Sequence, residues 1–564
     1  MYFSEIALKR PNTPCKLEWF LLIAVFLLSG VIGHDPWKQD ETYSFGMIYH
    51  FYTTHTWLVP MNVGQQPFME KPPLYYWSAT LMCRLFDGVL PLHDAARLTS
   101  VLYMLVTIVF MWRLSQLLFE KHTNRKAMGG MAIALLLGTS GLVRHAHDMF
   151  TDVALLSGDT IAMYGMALII NRQTQWKRAG LWLGLGIGIA FMSKGFFTPI
   201  VLSIAATALW MLLPHARTRS TVLALATAFL VAAPFLFIWP MLLYQHSPPL
   251  FMQWFWDNNV GRFLGFSVSR LGAPNTPNYF LHAPLWFAFP VLPLAMLLLL
   301  NPTGWRRPER LLPLTISIAG MVLLLASASA RALYLLPLLP AFTILAVQEL
   351  TDISPKLLLG WNMLTRLFIS IAGLLILLSW WCLLNPTGSF SHQVLHVLQR
   401  WLPIDFMPSE HYPFAYMLAV LAIVLWLCSM RFNPRLPLST ARIWLTGMTL
   451  LWGLSHTLLL PWLNETKSYL PRLAQMNAYI EHSAYAKDCV GNDSLGESIG
   501  PMLEYSRRAF APMEDFNYFA CRLTLRSVKR GSIDNPDPRW RLVWRDARPL
   551  DSKEEELRLY AHIE

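Results

Sequence analysis

Stretches of about 19 mostly apolar residues, each long enough to cross a bilayer as a helix, recur along most of this 564-residue chain. The first reads LEWFLLIAVFLLSGVIG, from Leu17 to Gly33. Others lie near residues 97–116, 127–143, 152–170, 179–193, 196–213, 221–243, 282–300, 311–328, 332–348, 365–384, 413–430 and 443–463. A chain built this way must satisfy its backbone inside the hydrocarbon, and only helices or closed barrels do so. The expectation is an α-helical polytopic membrane protein with about thirteen transmembrane helices. Composition supports it, because 54% hydrophobic and 14% charged residues suit neither a soluble protein of this size nor a disordered one.

The loops give an independent reading of topology. Lys9, Arg10 and Lys16 precede the first run, and every second loop after it is basic: Arg113 with Lys121, Arg125 and Lys126; Arg172 with Lys177 and Arg178; Arg217 with Arg219; Arg306, Arg307 and Arg310; Lys356 with Arg366; Arg431 with Arg435 and Arg442. These are the expected cytoplasmic loops, and the amino terminus is on their side. No small-residue cleavage motif follows the first run, which therefore reads as a retained helix. The net charge of +11 is spread through these loops, with no basic stripe or reader motif, so it indicates topology and not nucleic-acid binding.

Residues 34–96 and 245–281 form two long loops on the opposite side. An odd number of spans places the tail there too. Residues 1–463 read as a transmembrane domain and the more charged residues 464–564 as a small soluble α/β domain. The tail contains Cys489 and Cys521. An exported domain could pair them, or they could be two buried free thiols.

The first long loop holds the most unusual string, FMEKPPLYYW, from Phe68 to Trp77. It follows a segment, SFGMIYHFYTTHTW, whose pattern suits an amphipathic helix along the membrane interface. Two acidic clusters flank that segment: Asp40 with Glu41 before it and Glu70 after it. The Pro72–Pro73 step enforces extended backbone and then permits a new helix at LYYWSATLMCRLF, which holds Glu70 and Lys71 at a rigid helix start.

A first span followed by DE, then EKPPLYYW, then RLTS leading into the second span resembles the integral-membrane glycosyltransferases of the GT-C class. Within that class the chain is most similar to the aminoarabinose transferases that modify lipid A and to their protein O-mannosyltransferase relatives. The resemblance implies a GT-C fold in the bacterial inner membrane, with the active site and soluble tail on the periplasmic face. It implies transfer of a sugar from a polyprenyl (undecaprenyl) phosphate donor to a lipid acceptor such as lipid A. Protein O-glycosyl transfer is the alternative, followed by a lipid-linked sugar transporter, which would show paired repeats and interrupted midplane helices.

The chemistry needs a carboxylate near the acceptor and cations around the departing phosphate. The resemblance points to Asp40 as base, with Glu41 beside it, and to Asp152 in RHAHDMFTDVALL as an orienting acid, Asp148 being its neighbour and competitor. It assigns Lys71 to the donor phosphate, where a compact ammonium suits the anion. Arg97, Lys194 in MSKGFFTP, Arg262 in DNNVGRF, and Arg331 with Tyr334 in ARALYLLPLLP are gathered around the same phosphate. Glu70 is placed near a divalent metal ion or in an orienting role, and no organic cofactor is implied.

The sequence departs from the family in two places. Many aminoarabinose transferases carry a histidine after the RF step, whereas here Arg270 lies near that position and His282 comes later. The acidic motif reads DETYS, without the usual arginine before its tyrosine. Two weaker patterns carry no chemistry: His50 and His55 are five residues apart, on different helix faces, and the glycines of GLWLGLGIGIA suit close helix packing rather than dinucleotide binding.

Overall fold

The computed structural model describes residues 16–37, 40–62, 66–271, 274–275, 277–300, 304–408, 413–493, 495–506, 521–534, 538–551 and 554–563. Lys9, Arg10 and the side chain of Arg270 lie outside what is described. Among the described residues six helices are long and apolar enough to cross a bilayer: Leu92–Leu118, Asp152–Asn171, Arg219–His246, Pro308–Ala326, Ala332–Asp352 and Pro355–Leu384. Pro437–Ser455 with Leu460–Lys467, bent by 66° at their junction, would make a seventh. Other apolar runs form shorter helices, such as Phe197–Leu212 and Pro413–Ser429. The run near 282–300 is divided into helices Pro277–Phe287 and Val291–Met296 around Pro290. A hydropathy window reads across such a break, whereas a ring without an N–H interrupts the hydrogen-bond ladder.

The Asp152–Asn171 and Trp176–Lys194 helices make the closest pair in the bundle. A Cβ on Gly158 would meet the Ala190 backbone nitrogen at 2.6 Å, and one on Gly186, within GLWLGLGIGIA, would meet the Ala162 Cα at 2.7 Å. Another on Gly180 would meet the Ala224 carbonyl oxygen of the Arg219–His246 helix at 2.5 Å, so the GLWLGLGIGIA glycines serve helix contact. The first pairing holds Asp152, at the start of one helix, beside Lys194, at the end of the other.

The first long loop folds as two helices, Asp40–Thr54 and Leu74–Leu85. The second starts directly after Pro72–Pro73. The first begins earlier than the amphipathic segment expected from the sequence, with Asp40 and Glu41 in its first turn, where carboxylates complement the helix dipole. It is not a half-exposed interfacial helix. Residues Glu41 to Ile48, His50 and Phe51 are all buried, because the tail packs on the outer side. Phe45, Phe51, Tyr75 and Tyr76 share one apolar cluster with Ile480, Met502, Leu523 and Leu559 of the tail.

From Val490 onward the chain forms a four-stranded sheet of β1 (Val490–Asp493), β2 (Leu523–Lys529), β3 (Trp540–Ala547) and β4 (Glu555–His562), in the order β1-β2-β4-β3. β1 and β2 are parallel and the other pairs antiparallel. Cys489 and Cys521 immediately precede the two parallel strands and are joined by a disulfide, their Cα atoms 5.1 Å apart. Of the two alternatives left open by the sequence, the structure has the paired one.

Candidate active site

A cavity of about 1010 Å³ opens where the first-loop helices meet the membrane bundle. Six separate segments of the bundle and its loops supply polar groups to its lining: Asp40 and Tyr43; Glu70 and Lys71; Asp152; Lys194; Asn258, Asn259 and Arg262; and Arg331 with Tyr334. The lining also contains apolar residues of the bundle helices, Leu155 one turn on from Asp152, Phe197 and Ile200 after Lys194, Pro337 after Tyr334, and Leu323 with Leu324. Charged and apolar groups thus line one container.

The polar groups are wired to each other. Lys71 Nζ donates to the Tyr43 phenol oxygen at 2.7 Å, and the Tyr43 hydroxyl donates to Asp40 Oδ1 at 2.9 Å. Burial, with the Asp40 and Glu70 charges, raises the Tyr43 phenol well above its ordinary value of 10.0, so it remains a neutral donor. Lys194 is ion-paired with Asp152, and its ammonium lies 4.2 Å from the centre of the Tyr334 ring. Arg262 is ion-paired with Glu70. Burial alone would raise the Glu70 carboxyl, but Lys71, Arg262 and Arg331 outweigh it, and Glu70 lies below its ordinary 4.5. Arg331 lines the cavity and makes no ion pair among the described residues.

Local backbone explains these placements. Arg262 follows a π-helical stretch, Gln253–Gly261, whose wider turn brings Asn258 and Asn259 to the cavity as well. Gly195 ends the Lys194 helix with φ of +83°, and its α-carbon faces the Asn259 side chain so closely that no Cβ would fit. The KG pair therefore positions a lysine and then allows the chain to turn.

Three residues grouped with the site by the sequence, Arg97, Glu41 and Asp148, stand elsewhere. Arg97 is fully buried and does not reach the cavity. Its guanidinium donates to Glu41 at 2.9 Å, to Asp94 at 2.8 Å and to the Asp35 carbonyl at 2.8 Å. Glu41 also accepts from the backbone N–H groups of Met149 at 2.9 Å and Trp37 at 3.0 Å. A buried guanidinium requires such partners, so both groups are consumed as an internal brace instead of touching a ligand. Asp148 pairs with His145 at 2.9 Å and does not line the cavity.

The sequence reading missed Glu497. The tail helix Gly496–Ser506 packs on the Asp40–Thr54 helix through Phe45 and Tyr505, whose rings meet edge to face at 4.9 Å, and its first turn presents Glu497 to the cavity. Withdrawal from water and the nearby Glu70 and Asp40 charges raise this carboxyl above its ordinary 4.5, against the pull of Lys71 and Arg262. No local motif announces it, because its role depends on how the tail docks.

Glu70 is set among cations, and among the described residues no three His, Cys, Asp or Glu side chains converge as ligands. A donor set of one carboxylate held by an arginine does not fit a resident divalent metal ion.

Comparison with known proteins agrees with this geometry. The family described as dolichyl-phosphate-mannose-protein mannosyltransferase matches residues 70–239. The chain is 27% identical over 357 residues to an undecaprenyl phosphate-alpha-4-amino-4-deoxy-L-arabinose arabinosyl transferase of Sodalis glossinidius, covering 60% of each chain. It is 28% identical over 398 residues to the enzyme of that name from Edwardsiella ictaluri, covering 66% of each. The chain thus spans somewhat less than two thirds of the length of these relatives. In three dimensions it superimposes on the crystal structure of ArnT from Cupriavidus metallidurans bound to undecaprenyl phosphate with a TM-score of 0.63, at 16% identity, covering 96% of this chain and 97% of that one. The chain therefore has the GT-C fold, and it is similar in sequence to the aminoarabinose and protein-mannosyl transferases built on it.

Proposed function

We propose that the protein is a glycosyltransferase that moves a sugar from a polyprenyl phosphate, such as undecaprenyl phosphate, to a lipid acceptor such as lipid A at the periplasmic face of the inner membrane. The observation that carries the reading is the single cavity lined both by cations, Lys71, Lys194, Arg262 and Arg331, and by apolar residues of the bundle helices. A prenyl chain suits the apolar lining and its phosphate suits the cations.

In this reading the bond between the anomeric carbon and the phosphate oxygen breaks as an acceptor oxygen attacks the carbon. The acceptor proton passes to Asp40, whose Oδ1 is held by Tyr43 and whose Oδ2 takes no hydrogen bond from the described residues. The electron pair goes to the phosphate, where Lys71 and Arg331 face the developing charge. Asp152 holds Lys194 against Tyr334, and Glu70 holds Arg262, so both cations are pre-oriented. Glu497 adds an anionic wall that would receive a protonated amino group on the sugar. No step requires a metal ion.

The proposed topology counts thirteen spans, the shorter and proline-broken apolar helices included, with a cytoplasmic amino terminus and a periplasmic tail as its own α/β domain. The disulfide supports that side, since such bonds persist in oxidising compartments.

The test is transfer from a purified undecaprenyl-phosphate sugar, with donor binding measured separately. Asp40→Asn should lower turnover about 10²-fold or more and leave donor binding intact. Lys71→Ala should weaken donor binding, and chelation with EDTA should leave turnover unchanged. Near-normal transfer by Asp40→Asn would remove Asp40 as the base. Mass spectrometry of the envelope from cells with and without the gene separates the acceptors: loss of a pentosamine from lipid A supports the lipid reading. Loss of a hexose from a protein would instead favour the activity in the matched family's description.

A further inference from the structure

The two helices that carry Asp152 and Lys194 to the active-site cavity build a second polar recess at their other ends. The Asp152–Asn171 helix has 20 residues, which is about 30 Å of rise and matches the thickness of a bilayer's hydrocarbon. Around its far end a cavity of about 280 Å³ is lined by Arg113, Arg125, Arg172 and Arg178, with Glu120 as the one acid in the lining. Glu120 pairs with Arg172. Arg178 donates to the Tyr164 phenol at 3.4 Å, and the Arg113 guanidinium lies 5.3 Å from the centre of the Phe110 ring. Among the described residues Arg113, Arg125 and Arg178 have no carboxylate partner.

A topology signal requires only that basic residues stay on one side of the membrane. It does not require four of them, from the ends of four helices around two connections, to converge on a recess. Trp112 also lines the recess. Leu105, Val109 and Trp112 follow at helical spacing on one face of the Leu92–Leu118 helix, exposed by 45%, 46% and 37%. That stripe leads from the recess into the hydrocarbon.

We propose that this recess binds the phosphodiester headgroup of an anionic glycerophospholipid in the leaflet opposite the active site, with its acyl chains along the stripe. Guanidinium forks match phosphate oxygens two at a time, and the surplus of positive charge selects an anionic headgroup over a zwitterionic one. The bound lipid clamps together the Leu92–Leu118, Asp152–Asn171 and Trp176–Lys194 helices, two of which end in the active-site cavity. The inference is independent of the transfer reaction.

The test uses the purified full-length protein, delipidated in a neutral detergent, with binding followed by native mass spectrometry and thermal unfolding. Phosphatidylglycerol should be retained in preference to phosphatidylcholine. The combined variant Arg113→Gln, Arg125→Gln, Arg178→Gln should weaken phosphatidylglycerol binding by on the order of 100-fold, whereas Lys71→Ala in the other cavity should not. Equal retention of the two lipids, or unchanged binding by the triple variant, overturns the proposal. Equal stabilisation by soluble glycerol phosphate would make this a free-anion pocket and also overturns it. A phosphatidylglycerol with a photoreactive headgroup tests the unaltered protein: cross-links within Trp112–Arg125 and Arg172–Arg178 support the site, and cross-links confined elsewhere overturn it.

Discussion

One oxygen of the Glu41 carboxylate accepts both the Arg97 guanidinium and the backbone N–H of Met149, each at 2.9 Å. Asp40 precedes Glu41 by one residue and Asp152 follows Met149 by three. This single oxygen therefore ties together the backbones that deliver two cavity carboxylates from distant parts of the chain. Glu41→Ala should destabilise the protein by about 3–5 kcal/mol, because Arg97 is left partly unpaired in a buried setting. Glu41→Gln keeps an acceptor for Met149 and should cost less. Detergent-solubilised unfolding curves for the two variants check this order, and an unchanged melting temperature for Glu41→Ala would contradict it.

Tyr43 links the Lys71 ammonium to the Asp40 carboxylate through its one hydroxyl. Tyr43→Phe keeps the ring, which stacks on Phe68 with centroids 5.2 Å apart, and deletes the link. Loss of hydrogen bonds to charged groups should lower turnover about 10- to 100-fold with little change in fold. The comparison to make is turnover against donor affinity: an effect on affinity alone would mean that the hydroxyl serves binding and not the base.

The two tail-side and loop-side glutamates of the cavity should behave oppositely with pH. Glu70 sits below its ordinary 4.5 in the folded protein, so the folded state binds fewer protons there than the unfolded one. Its contribution is fully present above 4.5 and lost as pH falls through the folded value. Glu497 is raised, so its contribution is present below 4.5 and fades as pH rises from there. Melting temperature against pH should show Glu70→Gln losing its deficit in acid, and Glu497→Gln becoming relatively more stable as pH rises toward neutrality. Parallel curves for wild type and both variants would contradict the assignment.

The disulfide spans 32 residues between Cys489 and Cys521. Cys489→Ser should lower the stability of the tail by roughly 2–4 kcal/mol through loop-closure entropy. Thiol alkylation before and after reduction should count two protected groups in the wild type. Because the tail and the first-loop helices share an apolar cluster, transfer activity should be lost together with tail structure on heating.

Much of this molecule is legible from composition and order. Apolar runs and alternating basic loops lead to a helical membrane bundle, and the prolines after Lys71 mark the start of the Leu74–Leu85 helix. Asp40, Lys71, Asp152, Lys194, Arg262, Arg331 and Tyr334 all reach one cavity. Arg97 and Glu41 do not, and the reason is physical: a charged residue near a helix start reads the same whether it faces a ligand or a buried partner. The partner, Asp94 or the Met149 amide, is fixed only by packing. Glu497 was invisible for the complementary reason, since an acid in a tail becomes a cavity residue only when Phe45 and Tyr505 bring its helix onto the Asp40 helix.

Asp40 and Glu497 stand more than 450 residues apart in the chain, yet they face the same cavity. During synthesis at about 5–20 residues per second, roughly 20 to 90 seconds separate the emergence of one from the other. The segments that carry Asp40, Lys71 and Lys194 are made long before the helix that carries Glu497. A nascent chain thus lacks part of the cavity lining, which is complete only once the last segment has been delivered and docked.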